Sequence, residues 1–299
     1  MNKHKIAIIG NIASLGYLIG SELEKRGQDV DYYCVPNIFT TSPPRDKIVE
    51  RRKARGIPLE RTFRRMWTST RTYDLEIRLS AVPLVNASKS VVIFNGTELR
   101  AKSMSAEPRC FVTTRDLLEY LPDDIDARFL PRCIDIHAFN AGRDRSKNAQ
   151  SGNLTIGHFP TDKSIKGTDL VIEAIRHLRD EGISCNLVSE IVPHSEMPSF
   201  LSKIDVLCDW FGREAIYGIV SVESLAIGTP VVCHVDDRYY DFDEMRQWIE
   251  PCMPEPRSIA SAIINASKKI LEPDRICQLY APSNTVDSLI GTLREWNMW

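Results

Sequence analysis

One stretch of the sequence, residues 204–232, combines a strand, a loop and a helix in an order that suits the binding of an anion. The apolar run ends at Asp209, a helix is predicted over residues 218–227, and Gly228 ends that helix before the next strand. The first turn of such a helix carries unpaired backbone N–H groups at the positive end of the helix dipole. Glu223, one turn further along, is placed to accept hydrogen bonds from a hydroxylated ligand. An ordinary strand–helix crossover with a solvated glutamate would show the same pattern.

A second segment, residues 156–170, offers two cations in the loop that follows another predicted strand. Lys163 and Lys166 lie just before an amphipathic helix. Two ammonium groups that face a diphosphate would offset the negative charge that develops on it as a leaving group. Two solvated surface lysines are the alternative interpretation of the same residues.

Both segments resemble the nucleotide-sugar site of retaining GT-B glycosyltransferases, the family 4-like members of glycosyl transferases group 1. The family pattern is Gly-x4-Glu-x-Leu/Met-Ala-x-Gly-x-Pro-Val-Val, and it is matched here by Gly218, Glu223, Leu225, Ala226, Gly228, Pro230, Val231 and Val232. The resemblance implies that Glu223 binds the ribose hydroxyls of the donor nucleotide. It also implies that the diphosphate contacts Lys166, with Lys163 in the place of a family arginine. The donor sugar and phosphates would then lie over Ile216, Tyr217 and Gly218.

Two segments of the first half resemble the same family less closely. Residues 94–100 are similar to a His-Gly-Ser/Thr-Asp-x-Arg segment at a strand end, and residues 113–139 to a strand, a helix and a Leu-Pro-Asn-x-Val-Asp sequence before the hinge. The resemblance implies that the first domain faces the acceptor. The acceptor-side candidates are Asn11, Gly16, Glu98 and Arg100.

The chain departs from the family at three polar positions. Ala215 stands where many relatives have a second glutamate, with Glu214 adjacent to it. His158 replaces an arginine that would contact the donor, and Asn95 replaces the first-domain histidine. The candidate catalytic residues are therefore Asn95, Lys166 and Glu214.

Strand-like and helix-like segments alternate along the whole chain, which predicts parallel sheets. Together with the resemblance, this predicts an α/β protein of the GT-B class, with two doubly wound Rossmann-like domains facing across a cleft. The polar residues 140–153 are typical of a linker. We therefore expect an acceptor domain over 1–145, a nucleotide-sugar domain over 146–283, and a helix over 284–299 that crosses back to the first domain.

Residues 45–71 are strongly basic, with ten Lys and Arg side chains against three acidic ones. Leu59, Phe63, Met66 and Trp67 share one helical face, and most of the arginines lie off it. Such a helix suits an anionic membrane surface. Packing of its apolar face on the first domain is the second interpretation, and arginines that line the cleft for an anionic acceptor are the third. Nucleic acid is not expected, because aromatic side chains do not alternate with the charges.

The composition is that of an ordinary globular protein: 299 residues, 43% hydrophobic, with a net charge of −2. The eight cysteines form no Cys-x-x-Cys pair, and several lie in apolar runs, which favours free buried thiols in a reducing cytoplasm, with the inner membrane face as a second location. No metal site and no cofactor is expected, the nucleotide sugar being a substrate.

These observations support three hypotheses. The first is a metal-independent hexosyltransferase that moves a sugar from a nucleotide donor to a hydroxyl acceptor, with the retention that the resemblance implies. The second is a catalytically silent GT-B scaffold that acts as a nucleotide-sugar sensor or partner subunit. The third is another enzyme of the same fold, such as a sugar-nucleotide epimerase.

Overall fold

A computed structural model describes residues 3–34, 38, 40–44, 47–49, 71–80, 83–101, 107–141 and 153–299. The chain divides into two compact units, which are described separately. Unit 1 comprises Met1–Cys133 and Pro282–Trp299, and unit 2 comprises Ile134–Ala281. The unit boundary at 133/134 lies twelve residues before the sequence-based boundary at 145/146.

The described strands are β1 Lys5–Ile9, β2 Asp29–Tyr33, β3 Thr72–Leu79, β4 Asn86–Phe94, β5 Arg109–Val112, β6 Asp126–Phe129, β7 Leu154–Gly157, β8 Cys185–Val188, β9 Val206–Cys208, β10 Val231–Cys233 and β11 Ile249–Pro251. The described α-helices are α1 Leu15–Lys25, α2 Thr97–Arg100, α3 Ile136–Ala141, α4 Lys163–Lys166, α5 Thr168–Asp180, α6 Met197–Leu201, α7 Ile219–Ile227, α8 Met245–Trp248, α9 Pro256–Ala266, α10 Pro273–Leu279 and α11 Pro282–Glu295.

Unit 1 is built on a parallel sheet with the order β2-β1-β3-β4-β5-β6. The central strands are buried on both faces, as their uninterrupted apolar runs require, and residues 6–9 of β1 are at most 5% exposed. Helix α11 belongs to this unit although it is last in the chain. Its residues Val286, Leu289, Ile290 and Leu293 share one core with the apolar side chains of α1.

Unit 2 contains a second parallel sheet with the order β11-β10-β9-β7-β8. Helix α5 shows why these segments are helical: Val171, Ala174, Ile175 and Leu178 recur at intervals of three and four residues and are all buried. The chain runs from β7 outward to β8 and then returns past β7 to β9. The connections after β7 and β9 therefore leave in opposite directions, and the resulting switch point between these strands is where such sheets bind ligands.

Two short elements near the end of unit 2 have no counterpart among the sequence-based expectations. One is α10, which begins at Pro273 after α9 has ended at Ala266. Strand β11, which pairs with β10, was not expected because three residues are too few to show a period.

The predicted basic amphipathic helix over residues 59–67 lies outside the described residues. Of the basic segment, Lys47 pairs with Glu24 at 2.7 Å and Arg71 with Asp31 at 2.8 Å. Among the described residues, no helix is long and apolar enough to span a membrane.

Candidate functional site

The switch point of unit 2 is built around Asp209, the first residue after β9. Its carboxylate is almost completely buried, with 1% of the side chain exposed. Oδ2 accepts hydrogen bonds from the Gly218 backbone N–H and the Ser221 hydroxyl, both at 2.6 Å. Oδ1 accepts one from Lys166 Nζ, also at 2.6 Å. The chain's own carboxylate therefore lies at the N-terminus of α7, where we expected an anionic ligand.

The electrostatics of this cluster favour an ionised Asp209. Burial alone would raise the pKa of the carboxyl group, because it removes water from the charged form. The charge of Lys166 and the hydrogen bonds from Lys166, Ser221 and Gly218 outweigh burial and hold the pKa below its ordinary value. Asp209 and Lys166 thus form a buried ion pair.

Lys166 reaches Asp209 from the end of α4, the short helix that follows β7. Its Nζ also lies 4.0 Å from the centroid of the Trp210 ring, a cation–π contact. Asp162 caps α4 by accepting hydrogen bonds from the backbone N–H groups of residues 164 and 165. Lys163, the second candidate diphosphate cation, is exposed on the same helix. The two lysines therefore differ: one is paired internally and the other faces solvent.

Glycine is favoured at position 218 because Asp209 and Lys166 approach its Cα closely. A Cβ atom there would lie 2.9 Å from both Asp209 Oδ2 and Lys166 Nζ, well inside van der Waals contact. The φ angle of Gly218 is −84°, so close approach rather than backbone conformation accounts for the residue.

The loop before α7 is closely packed. Ile216 and Tyr217 are buried as whole residues, at 4% and 3% exposure. The Tyr217 hydroxyl accepts a hydrogen bond from the Asp241 backbone N–H at 3.1 Å and lies 3.1 Å from the Tyr280 hydroxyl, a network inside unit 2.

The second-glutamate position has an unusual backbone. Ala215 has a φ of 49°, in the left-handed region that costs a non-glycine residue energy. Adjacent Glu214 accepts a hydrogen bond from Trp210 Nε1 at 3.3 Å. Its carboxylate therefore lies beside the indole ring that forms the cation–π contact with Lys166.

Glu223 lies in α7 and is paired with a histidine that the sequence analysis did not single out. Its Oε1 accepts a hydrogen bond from His194 Nε2 at 2.8 Å, and 5% of the glutamate side chain is exposed. Burial alone would lower the pKa of His194, but the hydrogen bond and charge of Glu223 outweigh it and raise that pKa. The predicted ribose-binding carboxylate is therefore held by the loop that follows β8.

His158, predicted to contact the donor, is buried with both ring nitrogens engaged. Nδ1 donates to the Cys208 carbonyl at 2.8 Å, so Nε2 is the acceptor for the Thr168 hydroxyl at 2.9 Å. Burial lowers the pKa of His158, which favours this neutral tautomer. The imidazole links β9 to α5 and, in this conformation, offers no free nitrogen to a ligand.

In unit 1, Glu98 organises the turn after β4. Its Oε1 accepts hydrogen bonds from the backbone N–H of Asn95 at 2.5 Å, from that of Gly96 at 3.2 Å, and from the Ser80 hydroxyl. The Asn95 side chain donates to the Ile93 carbonyl at 3.3 Å. Asn95 and Glu98 are therefore neighbours at the carboxyl ends of β3 and β4.

Arg100 lies beside the same turn, since a Cβ atom at Gly96 would be 2.6 Å from its Nη1, and it forms an ion pair of its own. Its guanidinium contacts Asp116 Oδ2 at 2.7–2.8 Å and donates to the Thr114 hydroxyl at 3.2 Å. Arg100 thus fixes the region after β5.

Asn11 and Gly16 shape the loop after β1. Asn11 accepts from the Tyr17 backbone N–H at 2.9 Å and donates to the Thr41 carbonyl at 2.8 Å. A Cβ at Gly16 would lie 2.3 Å from the Gly10 carbonyl oxygen, so only glycine permits this close turn. The Asn11 side chain therefore holds the loop by bonding backbone groups, and Gly16 lets the backbone approach itself closely.

The structure brings the candidates together in two groups, one in each unit. In unit 2, Lys166, Glu214 and Gly218 gather at the switch point. In unit 1, Asn95 and Glu98 are in contact, while Arg100 and Asn11 have partners of their own. Asp209, Trp210 and His194 were not among the predicted site residues. Their signal was position, since the first two directly follow the buried strand β9 and the third lies in the loop after β8. Within the described ranges, no cluster of three His, Cys, Asp or Glu side chains could hold a metal ion.

No protein-family model matches this chain, and no curated protein sequence matches it. Solved structures do. Sucrose-phosphate synthase from Thermosynechococcus elongatus has a TM-score of 0.62 at 11% identity, over 98% of both chains. Anabaena HepE in complex with UDP-glucose has a TM-score of 0.55 at 12% identity, over 98% of this chain and 100% of that one. A protein described as a UDP-N-acetylglucosamine 2-epimerase from Listeria monocytogenes has a TM-score of 0.50 at 11% identity, over 98% and 96%. Each of the two α/β units contains a parallel sheet, and the chain has the GT-B fold that we expected.

Proposed function

We propose that this protein is a glycosyltransferase that moves a sugar from a nucleotide-sugar donor to a hydroxyl acceptor, with retention of configuration and without a metal ion. The observation that supports the proposal is that the Lys166 ammonium group lies next to Gly218, at the N-terminus of α7 and at the switch point of unit 2. Glu223 lies in that same helix, at the spacing of the family motif. A cation, a helix N-terminus and a carboxylate on one helix match the diphosphate and ribose of a nucleotide sugar.

Each part of the donor has a candidate partner. Glu223 would accept hydrogen bonds from the ribose hydroxyls, and Lys163 and Lys166 would contact the diphosphate. A donor phosphate competes with Asp209 for Lys166, because that carboxylate already holds the ammonium group. The lysines and the helix dipole would offset the charge of the departing nucleoside diphosphate, the task that a divalent metal performs in other transferases.

The remaining catalytic candidates are Asn95 and Glu214. Glu214 lies next to Trp210 and hence near Lys166, so it is the side chain of the donor domain that we assign to the sugar. Asn95, with its neighbour Glu98, would face the acceptor hydroxyl. The class of acceptor, whether glycan, lipid or small molecule, is open to screening.

The solved structures guide the choice of donor for a first assay. HepE was solved with UDP-glucose, and sucrose-phosphate synthase shares the fold. The first donors to test are therefore UDP-hexoses, followed by the ADP, GDP and TDP sugars.

The test is thermal unfolding with each nucleoside diphosphate and its sugars, followed by product analysis with candidate acceptors. A ligand at a hundred times its dissociation constant stabilises a protein by about 2.7 kcal/mol. Glu223→Ala should weaken donor binding by about 1.5–3 kcal/mol, the scale of hydrogen bonds to a charged group, and abolish transfer. Glu173→Ala, at an exposed position of α5, is the matched control.

The outcomes separate the hypotheses. Donor binding with transfer, both lost in Glu223→Ala alone, supports the proposal. Wild-type transfer by Glu223→Ala would refute the ribose assignment. Binding without transfer to any acceptor indicates a silent scaffold, and conversion of the donor sugar without an acceptor indicates an epimerase.

A further inference from the structure

The contact between His194 and Glu223 joins two separate parts of unit 2. His194 lies in the loop after β8, and Glu223 lies in α7, 29 residues further along the chain. A carboxylate can only accept, so His194 Nε2–H donates the hydrogen bond to Glu223 Oε1, over 2.8 Å. The side chains are 13% and 5% exposed. A buried, charge-assisted hydrogen bond of this kind is short and strong enough to fix a rotamer.

His194 is itself held in place from a second helix. The edge of its ring meets the Phe139 ring of α3, with centroids 5.7 Å apart and an interplanar angle of 68°. Asp135, just before α3, adds a second negative charge that favours the protonated imidazole. Glu223 from α7 and Asp135 from the segment that enters α3 therefore both favour the protonated imidazole.

The helix by itself does not orient Glu223. Helical spacing fixes the Cα position, but three side-chain torsions remain, and ordering them costs up to about 2 kcal/mol. A ligand that had to order this carboxylate would bind more weakly by the same amount. The His194 imidazole, which is already packed against Phe139 of α3, orders the carboxylate before the ligand binds and so removes that cost.

We infer that His194 is the positioning residue of Glu223, and that it sets the carboxylate for the paired hydroxyls of a nucleotide ribose. The inference rests on the proposed function, since it needs Glu223 to contact ribose. It adds that discrimination between ribonucleotides and 2′-deoxyribonucleotides depends on an imidazole in the β8 loop. His194 acts through Glu223, without contact to the ligand.

The experiment compares matched pairs of ligands that differ by one hydroxyl group. Dissociation constants are measured by calorimetry for UDP, ADP and GDP and for dUDP, dADP and dGDP, with the whole chain of 299 residues. The readout is the ratio of the deoxy to the ribo constant, which a general loss of stability does not change. His194→Asn keeps a polar side chain whose amide is too short to reach Glu223, and His194→Gln places an N–H donor close to the Nε2 position. His137→Ala, at an exposed position of α3, is the control.

We expect the wild-type protein to prefer the ribonucleotide by about tenfold or more. Glu223→Ala and His194→Asn should both reduce the preference to within about twofold, and His194→Gln should restore most of it. In the His194→Asn/Glu223→Ala double variant, the ratio should equal that of Glu223→Ala alone, because one residue acts through the other.

Failure of the inference and failure of the proposed function give different results. If Glu223→Ala loses the preference while His194→Asn keeps it, the positioning role is wrong and the ribose assignment stands. If the double variant is weaker than Glu223→Ala for both members of a pair, His194 contacts the nucleotide directly, which also overturns the inference. If no ligand binds the wild-type protein, or if it shows no ribo preference, the ribose role of Glu223 fails and the inference fails with it.

Discussion

Replacement of Asp209 by alanine tests the central cluster of unit 2. The variant removes a carboxylate that accepts three hydrogen bonds, from Lys166, Gly218 and Ser221, each 2.6 Å long. It leaves the Lys166 ammonium group, 12% exposed, without its counter-ion and deprives the Gly218 N–H of its acceptor. An uncompensated buried charge is among the most destabilising changes that a single substitution can make.

Loss of one partner from a buried ion pair costs about 3–5 kcal/mol. For a domain of about 150 residues, each kcal/mol corresponds to about 2–4 °C in Tm, so Asp209→Ala should lower Tm by about 6–20 °C. Asp209→Asn keeps an oxygen that can accept from Gly218 and Ser221 and should recover part of this loss. Lys166→Met should be destabilising as well, and the Asp209→Asn/Lys166→Met double variant should lose less than the sum of the two single changes.

The assay is thermal unfolding of the full chain, repeated as a function of pH. The folded-state pKa of Asp209 lies below its unfolded value, so its contribution to stability is present above the unfolded-state pKa of about 3.9 and is lost as the pH falls through the folded value. The difference in Tm between the wild type and Asp209→Asn should therefore shrink below about pH 4. A Tm for Asp209→Ala within about 2 °C of wild type at pH 7 would refute the reasoning, because the buried pair would then contribute little.

Two further variants probe neighbouring features of unit 2. Gly218→Ala should cost about 1–3 kcal/mol, since its methyl group would lie 2.9 Å from both Asp209 Oδ2 and Lys166 Nζ; chemical denaturation measures it, and a neutral result would mean that the pair separates freely. The raised pKa of His194 predicts a contribution to stability that is complete below its unfolded-state pKa of about 6.5 and is lost as the pH rises through the folded value. The Tm of the wild type relative to His194→Gln should therefore fall as the pH rises above about 6.5, and parallel curves would contradict the assigned ion pair.

Sequence-based predictions of helices and strands agree with the structure where an apolar pattern repeats over several turns, and they miss elements of only a few residues. The amphipathic helix predicted to follow Lys166 is α5, which spans Thr168–Asp180. Strand β11 has three residues and owes its existence to its pairing with β10, which no local pattern encodes. The predicted basic helix over 59–67 remains a sequence-based prediction.

The candidate site shows the same division between motif and partner. Gly218 and Glu223 were found from their spacing in one helix, because a helix and its capping glycine are encoded by neighbouring residues. Two side-chain pairs of the site were not found, since Lys166 and Asp209 are 43 residues apart and His194 and Glu223 are 29 apart. His158 shows the reverse case. Its position in the sequence suggested contact with a ligand, but in the folded chain its two ring nitrogens form hydrogen bonds with Cys208 and Thr168.

The sequence by itself determined the alternation of strands and helices and the helix that begins near Gly218. These depend on contacts between residues that are close in the chain, for which hydrophobic period and turn chemistry suffice. The expectation of a GT-B fold came in addition from the resemblance of residues 156–170 and 204–232 to a known family. Only the tertiary structure decided that Asp209 lies where an anion was expected and that a histidine holds Glu223. The order β11-β10-β9-β7-β8 places β9 beside β7, and that arrangement brings the ends of distant strands to one point. Partners of this kind follow from the order of strands in the sheet, which is set by long-range packing rather than by any local pattern.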